Sequence, residues 1–145
     1  MLRSLTALAL GSLLSASAFA QMTPVGLWRT IDDKSGEVSS EVRIVDNGGV
    51  LTGKVEKILK KNAKPDDKCD KCTDDRKGQL ITGMEIIRGA KKASGEDVWE
   101  GGKILDPNEG KEYTLKLMPI EGGQKLQVRG YIAFFFRTQT WVRAQ

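Results

Sequence analysis

The residue types with most capacity for chemistry are the two cysteines, Cys69 and Cys72, spaced Cys-x-x-Cys. Five carboxylates surround them: Asp66, Asp67, Asp70, Asp74 and Asp75. Three chemistries fit this group. A local disulfide forms in an oxidising compartment and closes a short ring, so it removes little unfolded-chain entropy. A redox dithiol needs a low-pKa thiolate, usually at a helix N-terminus in a βαβ setting, and no such setting is legible here. A zinc site needs about four ligands; two thiolates lack enough, and completing them with aspartates gives an uncommon ligand set. The chain contains no histidine. That removes the commonest general base and metal ligand, and it excludes Ser-His-Asp and Cys-His catalysis. The expectation is a Cys69–Cys72 disulfide, with no metal, no cofactor and no catalytic residue.

The other carboxylates read as structural. Asp106 and Glu109 stand in Asp106-Pro107-Asn108-Glu109-Gly110, which is turn chemistry. Glu85 and Glu100 fall in extended segments and would need a partner such as Arg129 or Arg137 if they faced inward. The aromatics offer a different function. Trp99, Tyr113, Tyr131 and the run Phe134-Phe135-Phe136 could line an apolar cavity, with Trp99, Tyr113, Tyr131, Phe134 and Phe136 as candidate ligand-binding residues. The competing reading is that they fill a solid core, because a short domain has little spare interior.

The elements that must position these residues begin after a leader. Met1-Leu2-Arg3 is a positive n-region, Leu5 to Leu14 is an apolar run, and Ala18-Phe19-Ala20 is a small-x-small cleavage site. This is the pattern of a cleaved secretory signal peptide over residues 1–20, too short for a bilayer span. The mature chain is expected to be one domain over 21–145, periplasmic or secreted, with no transmembrane segment. Losing Arg3 with the leader lowers the formal net charge of +4 by one. Lysines and acids are interspersed, and no basic recognition element is visible, so nucleic acid is not an expected partner.

After the leader, the apolar residues alternate with period two. In Val38 to Val45, Val38, Ser40, Val42 and Ile44 share one face, and Ser39, Glu41 and Arg43 share the other. Asp46-Asn47-Gly48-Gly49 is a tight hairpin turn leading to a strand from Val50 to Ile58. Lys60 to Gln79 is a long charged loop. Strands are expected over Leu80 to Arg88, Val98 to Ile104, Lys111 to Met118, Lys125 to Gly130 and Arg137 to Arg143, with Gly89 to Glu96 as a turn. Tyr131 to Phe136 is a compact apolar segment before the closing strand. Gly101 and Gly102 are expected to let the sheet bend or a neighbouring backbone approach. About eight short strands joined by turns predict an all-β, up-and-down antiparallel barrel.

Two features resemble the lipocalin group: Gly26-x-Trp28 on the first strand and Trp141-x-Arg143 on the last. The resemblance implies that Gly26, Trp28, Trp141 and Arg143 close one barrel end, with the guanidinium over the indole face. A longer series is similar to a bacterial family of exported proteins of unknown function with a lipocalin-like, calycin-type barrel. It comprises Gly26-Leu27-Trp28, Gly53-Lys54-Val55, Gly83-Met84-Glu85-Ile86, Trp99 to Tyr113, Leu126 to Tyr131 and Arg137 to Trp141. The fold it implies agrees with the strand count, and it supplies no activity. The function expected is binding of a small apolar or amphipathic molecule in the bacterial envelope. The alternatives are an envelope interaction module acting through the Lys60–Gln79 loop, and a thiol-redox protein acting through Cys69 and Cys72.

Overall fold

The computed structural model describes residues 22–145. The leader expected over 1–20, and Gln21, lie outside the described residues. Eight strands follow in order: β1 (Gly26–Ile31), β2 (Val38–Asn47), β3 (Val50–Ile58), β4 (Glu85–Lys92), β5 (Trp99–Asp106), β6 (Lys111–Ile120), β7 (Lys125–Ile132) and β8 (Phe135–Arg143). Each pairs antiparallel with its neighbour, and β8 returns to β1 to close a barrel. Among the described residues, no helix is long and apolar enough to cross a membrane. The predicted alternation holds: Val42 and Ile44 on β2, Leu51 and Val55 on β3, Leu115 and Leu117 on β6, and Leu126 and Val128 on β7 are buried. Between them stand exposed or half-buried polar residues, so one face of each strand makes the core.

Several boundaries differ from expectation, β4 and β8 with the clearest causes. β4 begins at Glu85, because Leu80 to Met84 belong to the preceding loop and fold back on themselves through Met84 N–H to the Ile81 carbonyl. It then continues through Gly89 to Lys92 instead of turning. Opposite lies the irregularity of β5 between Glu100 and Gly102. A Cβ on Gly102 would fall 2.5 Å from the Arg88 carbonyl oxygen, so the two backbones pass at a separation that only glycine permits. β8 begins at Phe135, and the expected apolar segment is a hairpin tip, with Ala133 at φ +50° in the two-residue turn.

Because the barrel is an up-and-down meander, its connections sort by end. The β2–β3, β4–β5 and β6–β7 turns lie at one end with the chain termini. The β1–β2, β3–β4, β5–β6 and β7–β8 connections lie at the other. The terminal end is plugged. Trp28 is fully buried and donates its indole N–H to the Pro24 carbonyl at 2.7 Å. The Arg143 guanidinium carbon lies 4.2 Å from the centre of the Trp28 ring. Arg143 donates to three main-chain carbonyls: Gly123 at 2.6 Å, Val25 at 2.8 Å and Thr23 at 2.7 Å. One side chain thus ties the N-terminal segment, the β6–β7 turn and β8 together. A Cβ on Gly26 would strike Arg143 Nη1 at 2.5 Å, which explains the glycine. Trp141 is buried above this floor. Gly26, Trp28 and Arg143 meet at this end, and Trp141 lies two residues before Arg143 on β8.

Candidate functional site

The opposite end is open. A cavity of about 440 Å³ enters the barrel there, room for about fifteen water molecules at their liquid volume of roughly 30 Å³. Val55, Ile58, Ile86, Ile104, Leu105 and Val128 give it an apolar wall, its lining includes Trp141, and polar atoms make up about as much of the surface. Ile81 reaches over it from the β3–β4 loop. Polar groups sit in defined places. Thr30 and Ser40 face each other with their hydroxyl oxygens 2.7 Å apart. Lys34, Lys60, Lys61, Asn62, Asn108 and Glu109 ring the mouth.

One polar chain runs from the mouth inward along β8. Asp33, just past β1, accepts from Arg137 Nε at 2.8 Å and Arg137 Nη2 at 2.5 Å. It also accepts from Gln139 Nε2 at 3.3 Å. The Gln139 carbonyl oxygen accepts the Trp141 indole N–H at 2.9 Å. The Arg137 guanidinium bonds hold the Asp33 carboxyl down at about 2, and Asp33 in turn raises Arg137. Arg137 Nη1 lies 3.7 Å from Asp106. These contacts have a structural reason. The β1–β8 ladder consists of Trp28↔Arg143 and Arg29↔Val142, so beyond them the two strands are joined by side chains. The Asp33 pairs bridge that part of the seam.

The expected aromatic lining needs correction. Of the five candidates, Tyr113 lines the cavity, resting over Gly130. Trp99 is buried in the core outside the cavity lining. Tyr131 falls on the outward register of β7, beside Phe136, with ring centres 6.0 Å apart. Phe134 is 99% exposed, Phe135 78% and Phe136 62%, so the run projects from the rim and lines nothing. The physical cause is position: by Phe134 the strands have left the barrel wall, and apolar character cannot turn a hairpin tip inward. Glu85 and Glu100 do not face inward, so the condition for a buried partner is not met. Glu85 accepts from Arg88 Nε at 2.7 Å, and Glu100 lies 3.7 Å from Lys116. Arg137 pairs with Asp33 instead. Asp106 serves its turn, accepting the Asn108 N–H at 2.9 Å. Gln139, Thr30 and Ser40 were missed as lining residues, and Asp33 was missed as the partner of Arg137. The signal for Gln139 was present, since it shares the inward parity of Arg137 and Trp141 on β8.

Cys69 and Cys72 form a disulfide, and both are fully buried. The long loop is anchored at these two residues while most of its charged side chains stay exposed. Its strand-like contact Lys68↔Leu80 and the Ile81 N–H to Asp67 carbonyl bond fold it into a flap. The flap lies on the β5–β6 turn: a Cβ on Gly110 would fall 2.1 Å from the Lys71 carbonyl oxygen. Arg76 is buried beneath it and donates to Asp74, to Glu112 at 2.8 Å and to the Glu85 carbonyl at 2.9 Å. Arg88 reaches up to Asp75 at 2.9 Å. Thiol exchange requires attack on an accessible sulfur, so burial of both cysteines counts against a redox role. Among the described residues, no group of three or more Cys, Asp or Glu is placed to hold a metal ion.

Residues 26–143 match the profile of a bacterial family described as uncharacterized protein conserved in bacteria (DUF2147). The chain belongs to this family. Among curated proteins, none matches significantly. Among solved structures, the chain is similar to HP1028 from the human pathogen Helicobacter pylori, described as belonging to the lipocalin family. The two share 16% identity over 83% of this chain and 82% of that one, with a TM-score of 0.70. At that identity the likeness speaks for the fold: this member of DUF2147 is a lipocalin-like barrel of eight strands.

Proposed function

We propose that this protein binds a small apolar or amphipathic molecule in the bacterial envelope. The observation that carries the reading is the cavity of about 440 Å³ inside the open end of the barrel. Small-molecule sites commonly measure about 300–1,000 Å³ and combine apolar walls with a few fixed polar groups. Here the apolar wall is aliphatic, and the fixed groups are the Thr30–Ser40 hydroxyl pair and the Asp33–Arg137–Gln139 chain. A molecule with an apolar body and one polar end fits that division. The lipocalin family assignment of HP1028 supports the reading by analogy of fold. The leader pattern of residues 1–20 supports the envelope. The loop-mediated interaction module has less support, because the buried cysteines and Arg76 commit that loop to covering the barrel.

The decisive experiment is native mass spectrometry of the protein purified from its own envelope, backed by fluorescence titration with N-phenyl-1-naphthylamine. Co-purification of one small molecule, displaced by the dye, is the expected result. A bare protein that takes up no dye would end the proposal.

A further inference from the structure

The phenylalanine tip has no role in the cavity, yet it is the most exposed apolar feature among the described residues. Phe134, Phe135, Phe136 and Ile132 are all exposed at the β7–β8 turn. The turn stands at the open end, beside the mouth that Arg137 lines. Exposed aromatics in such numbers mark a contact surface. Its shape is a convex protrusion two residues wide, which inserts into a yielding medium more readily than it seats a folded partner.

Chemistry grades down the hairpin from its tip. Phe134 leads. About 7 Å behind it, at ~3.4 Å per residue, comes the Tyr131↔Phe136 pair, which joins a phenol to an aromatic ring. At that level the Arg129 guanidinium lies 4.7 Å from the centre of the Phe136 ring. Among the described residues Arg129 has no carboxylate within salt-bridge distance; its Nε donates to the Thr138 hydroxyl at 2.9 Å. From Gly122 to Gln145 the sequence holds Lys125, Arg129, Arg137 and Arg143 and no acidic residue. An apolar tip, an amphipathic aromatic belt and an uncompensated cation follow the order of a bilayer interface. The spacing matches the roughly 5–10 Å to which interfacial segments sink.

We propose that the β7–β8 hairpin docks the open end of the barrel on an anionic phospholipid surface. Phe134 and Phe135 enter the acyl boundary, and Arg129 meets a lipid phosphate. Docking brings the cavity mouth to the membrane, so an amphipathic ligand can move between lipid and barrel with little exposure to water. The docking surface stands apart from the cavity and does not require that the cavity be filled.

The test is vesicle flotation with the mature protein. Wild type is expected to float with phosphatidylethanolamine–phosphatidylglycerol vesicles and more weakly with phosphatidylcholine alone. The double substitution Phe134→Ser, Phe135→Ser should lower binding to both by about tenfold for each ring withdrawn. Arg129→Gln should lower binding to the anionic vesicles by about fivefold and to the neutral ones less, since phosphatidylcholine offers the phosphate without a net surface charge. Phe134 and Phe135 touch solvent, so the fold persists, and an unchanged far-ultraviolet circular dichroism spectrum of the double variant verifies it. Wild type that fails to float, or a double variant that floats equally well, overturns the proposal. So does a wild-type dimer in sedimentation equilibrium that the double variant abolishes, since the tip would then be a protein contact. Wild type that floats but takes up no dye would refute the ligand reading and spare this one.

Discussion

Replacing Asp33 by asparagine should cost stability in a pH-dependent way. The carboxylate sits where the β1–β8 ladder has ended and takes both forks of Arg137, with its side chain 23% exposed and that of Arg137 29%. Hydrogen bonding to Arg137 holds its acidity at about 2, against an ordinary value of 3.8. The unfolded chain therefore takes up the proton first as pH falls. The pair's contribution is complete above about pH 4, declines between about 4 and 2, and is gone below 2. Its size follows from the same gap and is about 2 kcal/mol. Both side chains are mostly shielded, so solvent screening reduces this little. The assay is urea unfolding followed by tryptophan fluorescence, run on wild type and Asp33→Asn from neutral pH down to about 2. The stability difference should be about 2 kcal/mol at neutral pH and shrink toward zero at the acid end. Asp74, also held at about 2 by its bonds to Arg76, titrates in both proteins and cancels. A difference that stays flat across the acid range would refute the reasoning. So would a double-mutant cycle with Arg137→Gln that shows no coupling.

Other outcomes follow from the same structure. Arg143→Ala should destabilise by about 3 kcal/mol, since three charge-assisted bonds and the contact with Trp28 go together. That is about 10 °C in thermal midpoint, with Arg143→Lys recovering only part of it. Val128→Phe, which fills the cavity from its wall, should reduce N-phenyl-1-naphthylamine binding by at least about tenfold while far-ultraviolet circular dichroism stays unchanged. The native disulfide should resist dithiothreitol until urea is added, because both cysteines are buried. Mass shifts after alkylation report this directly. Gly110→Ala should unseat the flap from the β5–β6 turn, seen as faster amide exchange over residues 67–81 with slow exchange retained in β6 and β7.

Strand alternation carried most of the fold. Val42 and Ile44, or Leu126 and Val128, announce a half-buried strand through local pattern alone, and Asp46-Asn47-Gly48-Gly49 announces its turn. The guanidinium over the first-strand indole was legible only through the resemblance to lipocalins, since no local spacing links Trp28 to Arg143. The open end was not legible. Asp33 and Arg137 are 104 residues apart, and nothing local tells Arg137 which carboxylate it will meet. The phenylalanine run misled because hydrophobicity signals burial only where a wall exists to bury against. The flap misled for a related reason: its charges are conspicuous in sequence, while the contact that fixes it, Gly110 beneath Lys71, is remote.

The stitched floor of the barrel has a practical meaning. Leu27 donates its N–H to the Gln145 carbonyl at 3.1 Å, Ala144 donates to the Leu27 carbonyl at 2.8 Å, and Arg143 holds Thr23. Residue 145 is thus knitted beside residues 23–27, at the end remote from the mouth. In a chain begun at Met22, a short linker could join residues 145 and 22 and the chain could be reopened at the Asp46–Gly49 turn, giving a circular permutant with every strand pair retained. Immobilised through a linker after Gln145, the barrel would stand on its plugged base, with the cavity and the phenylalanine tip turned toward whatever flows past.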